Sequence, residues 1–354
     1  MTGAELQTSS TDVPLVSVVI VASRRVKELS ACLDGLRAQT VARHEVVIVL
    51  VDATRELDVM ATERSRGDPR VQVARCRGLS PSAARNVGAG QARAEVLYFL
   101  DDDVEIPPHA LSELLETFAA HPEVDVVGGP NLTPPDDPQL AQVIGEVLAS
   151  PVGTGLTRPR YVRTRSGPAK EHHLILCNLA VRSSVFESGI RFPDLFGGEE
   201  NSLMGTATAR GHRFWYESKL WVHHRRRRTL RGYAEQLYRY GYGRALAIRY
   251  APNTFHVGYF APVALLAYVS ALPLLRRATP LAWIPLGGYL GAVALASLEI
   301  SVRRRRPGWL PLLPPVFVMT HAIYAAGLAV TLARLWASSD GQEGNGTGPN
   351  EGAA

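Results

Sequence analysis

Short apolar runs alternate with amphipathic stretches from Leu15 to about Leu220. The runs are Val16–Val21, Val46–Val51, Val71–Val73, Val96–Leu100 and Val124–Val127, and positions near 25–38, 81–93 and 108–120 carry apolar residues at helical spacing. Continuous β-branched runs separated by helices predict an α/β domain whose parallel sheet is buried on both faces. In such a sheet ligands bind outside the carboxyl ends of the strands, so chemistry is expected there. Residues 1–13 are small, polar and aperiodic, with no basic-then-apolar order; they read as a disordered N-terminus rather than a signal peptide.

The pattern changes after about residue 224. Residues 225–255 interleave arginines (Arg225 to Arg228, Arg231, Arg239, Arg244, Arg249) with tyrosines (Tyr233, Tyr238, Tyr240, Tyr242, Tyr250). Both side chains have an apolar body and a polar end, which suits an interfacial helix region. Three apolar segments follow, at 256–275, 280–300 and 309–335, each near or beyond the ~20 residues that cross a bilayer. None has an Asp, Glu, Lys or Arg near its centre, and His321 is the one histidine there. A transmembrane region of about three helices over 256–336 is therefore expected, then a disordered tail over 337–354. The Arg225–Arg228 and Arg303–Arg306 clusters have two spans between them, so the positive-inside rule puts both in the cytoplasm. Arg276 and Arg277 then fall outside, a smaller violation that a shallow first hairpin removes. The reading is an integral protein of a bacterial plasma membrane whose catalytic domain, 14–224, faces the cytoplasm.

Composition narrows the alternatives. With 354 residues, 46% hydrophobic and 20% charged, the chain can bury a sizeable core and is neither fibrous nor wholly disordered. Cys32, Cys76 and Cys177 lie far apart, without CxxC spacing, which excludes a disulfide scaffold and a cysteine-rich zinc module. The net charge of +5 fits nucleic acid, an anionic membrane or a phosphorylated substrate. The arginines abut the apolar segments, which favours the membrane; no nucleic-acid partner is expected.

The fourth apolar run leads straight into Asp101-Asp102-Asp103. Three adjacent carboxylates repel one another, and a hard divalent cation with oxygen ligands relieves that repulsion while holding substrate phosphates. The first strand ends at Ala22-Ser23-Arg24-Arg25 and the second at Val51-Asp52. At a carboxyl end, Asp52 suits a nucleobase or ribose hydrogen bond, and equally an N-cap. Gly78-Leu79-Ser80-Pro81-Ser82-Ala83-Ala84-Arg85-Asn86 opens a helix whose free N–H groups, with Arg85, suit a diphosphate.

In this order the motifs resemble the family 2 glycosyltransferases, inverting enzymes of the GT-A fold that use nucleotide-diphosphate sugars. The likeness rests on the Val16–Ser23 strand, Asp52, Ser82–Asn86, Leu100–Asp103 and Gly197-Gly198-Glu199-Glu200-Asn201. Trp221–Arg226 and Gln236–Arg244 resemble bacterial members that build exopolysaccharide or cell-envelope glycans. The resemblance implies a GT-A (Rossmann-like, mostly parallel sheet) catalytic domain with Glu200 as catalytic base. It implies Ser23, Asp52, Arg85, Asp101 and Asp102 on the donor, and Asp101 and Asp103 on a Mg2+ or Mn2+ ion. His223 or His224, at a predicted strand end, completes the metal or phosphate site, and His223 is assigned as the ligand. Glu199, Gln236, Arg239 and Arg244 are assigned to the acceptor or interface. Where the family usually has Pro-Thr-Tyr-Asn and Asp-Asp-Gly-Ser, this chain has Ala22-Ser23-Arg24-Arg25 and Asp52-Ala53-Thr54, and Glu200 stands for the commoner Asp.

The implied mechanism is coherent in itself. The leaving diphosphate needs charge stabilisation rather than protonation, and inversion needs one carboxylate to take the acceptor's proton. The partners expected are a nucleotide-diphosphate sugar, a lipid-linked or glycan acceptor and the membrane. The alternatives are a processive polysaccharide synthase, since Gln236-Leu237-Tyr238-Arg239-Tyr240 resembles the Gln-x-x-Arg-Trp motif of polymer-forming relatives, and a catalytically inactive membrane scaffold. Nothing spans before residue 255 and three segments make a thin channel, which favours single transfer.

Overall fold

The computed structural model describes residues 13–343 except Phe196, with side chains as far as Ala337. The expected disordered N-terminus and the end of the expected tail therefore lie outside the described residues. The predicted runs become β1 (Val16–Ala22), β2 (His44–Val51), β3 (Val71–Cys76), β4 (Val96–Asp101) and β6 (Val126–Gly128). Short strands complete the set: β5 (Val104–Glu105), β7 (Asn131–Leu132), β8 (Gly167–Pro168), β9 (Asn178–Arg182), β10 (Phe214–Tyr216) and β11 (Val222–His224). The predicted helices appear as α1 (Val26–Arg37), α3 (Pro81–Gln91) and α4 (Ala110–Ala120). The structure adds α2 (Arg55–Gly67), α5 (Gln139–Ala149), α6 (Pro151–Thr154), α7 (Ser183–Glu187) and α8 (Glu199–Ala209). α2 leaves little trace in the sequence because it buries only Leu57 and Ala61.

One sheet has the order β3-β2-β1-β4-β9-β6-β10-β8. β1 to β4 are parallel, with Ile20 level with Ile48 on one side and Leu100 on the other. β9 runs antiparallel to both β4 and β6. The chain winds outward from β1 through β2 to β3 and then returns to place β4 on the other side of β1. That reversal is a topological switch point, the position where open α/β sheets bind ligands. A second sheet, β5-β11-β7, is small but decisive for the site.

Burial explains the strands. Val16, Val18 and Ile20 of β1, and Ile48 and Leu50 of β2, are essentially inaccessible and share a core with Leu29, Leu33 and Leu36 of α1. The one buried carboxylate within β2 is fully served. Glu45 accepts from Ser17 Oγ at 2.6 Å, Arg93 N at 2.7 Å, Arg93 Nε at 2.7 Å and Gln72 Nε2 at 3.1 Å. A buried charge so matched avoids the penalty of an unpaired one. α3 lies close against β1 and β2 because Gly88 has no side chain: a Cβ there would sit 2.4 Å from Val19 Cγ1.

The chain divides after Arg226 into two compact units. Arg225 and Arg226, assigned from the sequence to the interfacial stretch 225–255, belong to the first. Arg225 pairs with Glu105 at 2.8 Å, Asp136 at 2.9 Å and Asp137 at 3.2 Å, and Arg226 donates to Asn131 and Thr133. These acids sit on and beside the β5-β11-β7 sheet, which claims both guanidinium groups.

The second unit holds α9 (Leu230–Tyr250), α10 (Ala261–Ala278), α11 (Ile284–Arg304) and α12 (Leu313–Glu343). Three segments, Val257–Ala278, Pro280–Arg304 and Leu313–Ala337, are long and apolar enough to cross a membrane. α12 continues to Glu343, past residue 337 where the sequence predicts a tail. α9 does not stand alone: it runs alongside α12, with Tyr233 Oη 2.8 Å from Thr320 Oγ1. Their backbones meet at two glycines. A Cβ on Gly241 would reach Tyr324 O, and one on Gly327 would reach Tyr238 O, each within 2.4 Å. Small residues of this kind are what allow apolar helices to pack closely.

Two pairs of substitutions test this packing. Gly88→Ala is expected to destabilise the first unit by about 1–3 kcal/mol through overpacking. Gly90→Ala, two positions on with nothing within 4 Å, is expected to be neutral or stabilising by up to about 1 kcal/mol through helix propensity. Gly327→Leu should lower the melting temperature in detergent, whereas Gly291→Leu, in open space on α11, should not. Thermal unfolding of the four variants checks both pairs.

Candidate active site

β4 delivers Asp101 to the switch point, level with Val21 of β1. The chain continues through Asp102 and Asp103 into β5, and β5 pairs with β11 so that His224 lies opposite Val104 and His223 opposite Glu105. That register decides which histidine reaches the acids. Alternate strand residues face opposite ways, so His224 points to Asp103, its Nε2 3.1 Å from Oδ1. His223 turns away and packs on Trp221, ring centroids 4.8 Å apart. The assignment of His223 to the acid cluster therefore gives way to His224. Ligand atoms of Asp101, Asp103 and His224 lie within 4.8 Å of one another.

Two guanidinium groups balance the acids. Arg25, from the turn after β1, donates through Nη1 to Asp102 Oδ1 at 2.9 Å and Asp103 Oδ2 at 2.6 Å. Arg85, on α3, donates through Nη2 to Asp101 Oδ1 at 3.3 Å and through Nη1 to Glu199 Oε1 at 3.1 Å. Asp102 is the most buried acid of the three. Burial pushes its carboxyl up to about 7, with Arg25 opposing the shift and the neighbouring aspartates adding to it. It faces Arg25 rather than the cluster of Asp101, Asp103 and His224.

Glu199 and Glu200 open α8, where acids suit the helix N-terminus. Gly197 and Gly198 precede them at φ +112° and +75°, a region that glycine enters without strain. Burial, then repulsion from Glu200, holds the Glu199 carboxyl above the usual carboxylate range, against the pull of Arg85. Glu200 Oε1 accepts from Asn201 Nδ2 at 3.1 Å and lies 3.8 Å from Arg160 Nη1. Arg160 is itself buried and held by Asn201 Oδ1 at 2.7 Å and the His172 carbonyl at 2.8 Å. Nothing in the local sequence around Arg160 marks it; it ends a short 3-10 helix, Gly155–Arg160, between α6 and β8.

The first turn of α3 is fastened to the segment that leads into α8. Asn86 exchanges two hydrogen bonds with the Phe192 backbone, at 2.8 and 3.0 Å. Ser82 donates to the Leu195 carbonyl at 2.9 Å, and Ser80 donates to Asp194. Ser80 is also the N-cap of α3, as its sequence suggests. Asp52 sits at φ +43°, a left-handed position that Asp tolerates better than most residues, and accepts from Gly78 N at 3.1 Å. Ser23 exposes its side chain while its carbonyl receives Thr54 N, the N-cap of α2. Both thus shape the loops at the strand ends. Gln236, Arg239 and Arg244 lie in the second unit. Gln236 is half-buried and Arg239 exposed, but Arg244 is buried with its guanidinium 4.1 Å from the Tyr259 ring centre.

The donor set fits a divalent ion. Two carboxylates and an imidazole suit Mn2+ or Mg2+, the nitrogen tilting the choice toward Mn2+. His224 brings a further sign of a site held for a purpose: its Nδ1 is buried and has no hydrogen-bond partner among the described residues. Buried polar atoms are rarely left so.

Comparisons with known proteins bear on the family and the fold. Residues 17–189 match the model of Glycosyl transferase family 2. An uncharacterized glycosyltransferase of Haemophilus influenzae is 27% identical over 150 residues, 39% of this chain and 50% of that protein. The O-antigen biosynthesis protein RfbC of Myxococcus xanthus is 35% identical over 133 residues, 37% of this chain and 10% of its own. The chain thus matches half or less of the length of these relatives. In three dimensions it is similar to the mannosyltransferase PcManGT of Pyrobaculum calidifontis, solved with GDP-Man and Mn2+. The TM-score is 0.62 at 18% identity, over 92% of this chain and 88% of that one. That likeness is one of fold. Residues 17–189 thus match the glycosyl transferase family 2 model and adopt a mostly parallel, Rossmann-like GT-A fold, in a chain that also carries three helices long and apolar enough to cross a membrane.

Proposed function

We propose that the protein is an inverting, metal-dependent glycosyltransferase that moves a sugar, of the hexosyl type, from a nucleotide-diphosphate donor to a lipid-linked or glycan acceptor in cell-envelope or exopolysaccharide synthesis. The observation that carries this reading is the convergence of Asp101, Asp103 and His224 at the switch point, with Arg85 and Glu199 beside them. The Mn2+ and GDP-Man of the mannosyltransferase of similar fold, and the O-antigen role printed for RfbC, support it.

Asp101, Asp103 and His224 would hold the ion, which supplies Lewis-acid stabilisation of the departing diphosphate. Arg85 adds positive charge on the same side and keeps Asp101 oriented. Glu200 accepts the proton of the acceptor hydroxyl as that oxygen bonds to the anomeric carbon and the bond to the diphosphate oxygen breaks. A single base suffices, because the leaving group needs no proton. Arg160 and Asn201 hold the Glu200 carboxylate in place. Glu199, tied to Arg85, links this half of the site to the donor half. Asp52 and Ser23, at the ends of β2 and β1, border the space for the base and ribose.

The three apolar helices are read as membrane spans, with the catalytic unit and the Arg303–Arg306 cluster on the cytoplasmic side. Gln236 and Arg239 of α9 remain the residues of this region suited to an acceptor. Arg228, just before α9, and Arg231, Arg239 and Arg249 on it are exposed and suit an anionic membrane surface, where each contributes on the order of 1 kcal/mol.

Two experiments test the roles. Glu200→Gln should lower turnover about 10²–10⁴-fold, the usual worth of a positioned general base, with donor affinity nearly unchanged. An equal loss of donor affinity would make Glu200 a binding residue and move the search for the base to Glu199 or Asp194. His224→Ala should weaken Mn2+ binding, measured by titration of the ion, by at least the about 10–100-fold that loss of even an outer partner costs. His223→Ala should leave it unchanged; the opposite ranking would return the assignment to His223.

A further inference from the structure

Arg25 stands where the family resemblance has no counterpart for it, and the roles proposed above do not use it. Its Nη1 donates to Asp102 and to Asp103 Oδ2, while Asp103 Oδ1 faces His224 Nε2. Both oxygens of Asp103 are therefore engaged, and Asp101 is engaged by Arg85. The Arg25 side chain is 41% exposed, and its Nε and Nη2 make no hydrogen bond among the described residues. It leaves the end of β1 at the switch point, the side of the sheet where the phosphates of a nucleotide are expected. A guanidinium with two unused donors in that position matches a diphosphate in charge and in geometry.

We propose that Arg25 is a positioning residue that holds Asp103 back from a divalent cation until a nucleotide diphosphate draws its guanidinium away, so that cation and nucleotide load cooperatively. This rests on the metal and nucleotide reading of the same site. The physical argument is competition. A guanidinium bonded to a carboxylate both occupies a ligand oxygen and repels an approaching cation. With the diphosphate present, Arg25 turns its unused donors to phosphate oxygens, the bond to Asp103 Oδ2 lengthens, and that oxygen becomes available. Nη1 can keep Asp102 throughout, so the buried carboxylate is never left unpaired. By linkage the effect is reciprocal: whatever nucleotide adds to cation affinity, cation adds to nucleotide affinity.

The test is titration of Mn2+ into the full chain in detergent, read by the electron paramagnetic resonance of the free ion, without nucleotide and with saturating UDP or GDP. The wild-type chain should bind Mn2+ more tightly with nucleotide, by about 5–150-fold, the usual range of coupling between sites. Arg25→Gln should bind Mn2+ without nucleotide about 5–10-fold more tightly than wild type and gain less from nucleotide, a change at the lower end of the same range. Arg25→Lys, which keeps the charge but loses the fork, should fall between them, and matched melting temperatures of the variants separate lost charge from lost fold. If Arg25→Gln leaves nucleotide-free Mn2+ affinity equal to or below wild type while Asp101→Asn weakens it, the proposal is overturned and the metal reading stands. If the wild-type chain shows no Asp101-dependent Mn2+ binding with either nucleotide, both fall.

Discussion

Three consecutive carboxylates, Asp101, Asp102 and Asp103, share the end of one buried strand, and the surrounding structure is arranged around their mutual repulsion. At the 4.8 Å limit that separates ligand atoms of Asp101 and Asp103, two like charges repel by about 3 kcal/mol at an effective dielectric near 20, less where solvent screens the partly exposed Asp101. The compensation comes from four directions. Arg25 arrives from β1, Arg85 from α3, His224 from β11, and the chain itself turns Asp102 inward to Arg25. Each element that meets the acids also fixes the position of another part of the site.

The Arg85 bridge is the clearest case. One guanidinium joins Asp101, at the end of β4, to Glu199, at the start of α8, across 114 residues between Arg85 and Glu199. The Asn86, Ser82 and Ser80 contacts to 192–195 run beside it, so the helix that would face the donor is tied by several hydrogen bonds to the segment leading into the helix that carries the acidic pair. Close approach of α3 to the sheet at Gly88 sets the height of Arg85 above β4. A packing constraint in the core thus reaches the charged cluster through a few covalent bonds.

In the second unit, backbone contact at Gly241 and Gly327 commits α9 to α12 rather than to a free surface position. The exposed Arg231, Arg239 and Arg249 are thereby carried on a helix pair rather than on a helix that stands alone.

The sequence by itself determined the α/β class, the five main strands, the three apolar helices and the acids at the strand ends. These signals are local: β-branched runs, helical spacing, a capped helix start and a triplet of aspartates are each readable within about ten positions. What only the tertiary structure decided are pairings between distant segments. His223 and His224 are neighbours of the same chemical type, and only the register of β11 on β5 sends one to Asp103 and the other to Trp221. Arg25 and Arg160 are two among many arginines until the strand order and the short helix between α6 and β8 bring them to the acids. Arg225 and Arg226 read as the start of a basic helix, yet Glu105, Asp136 and Asp137 claim the first and Asn131 and Thr133 the second. A periodic pattern shows which face of an element is buried, but the partner of a charge is set by which segments the sheet brings together, and that register is a property of the whole fold.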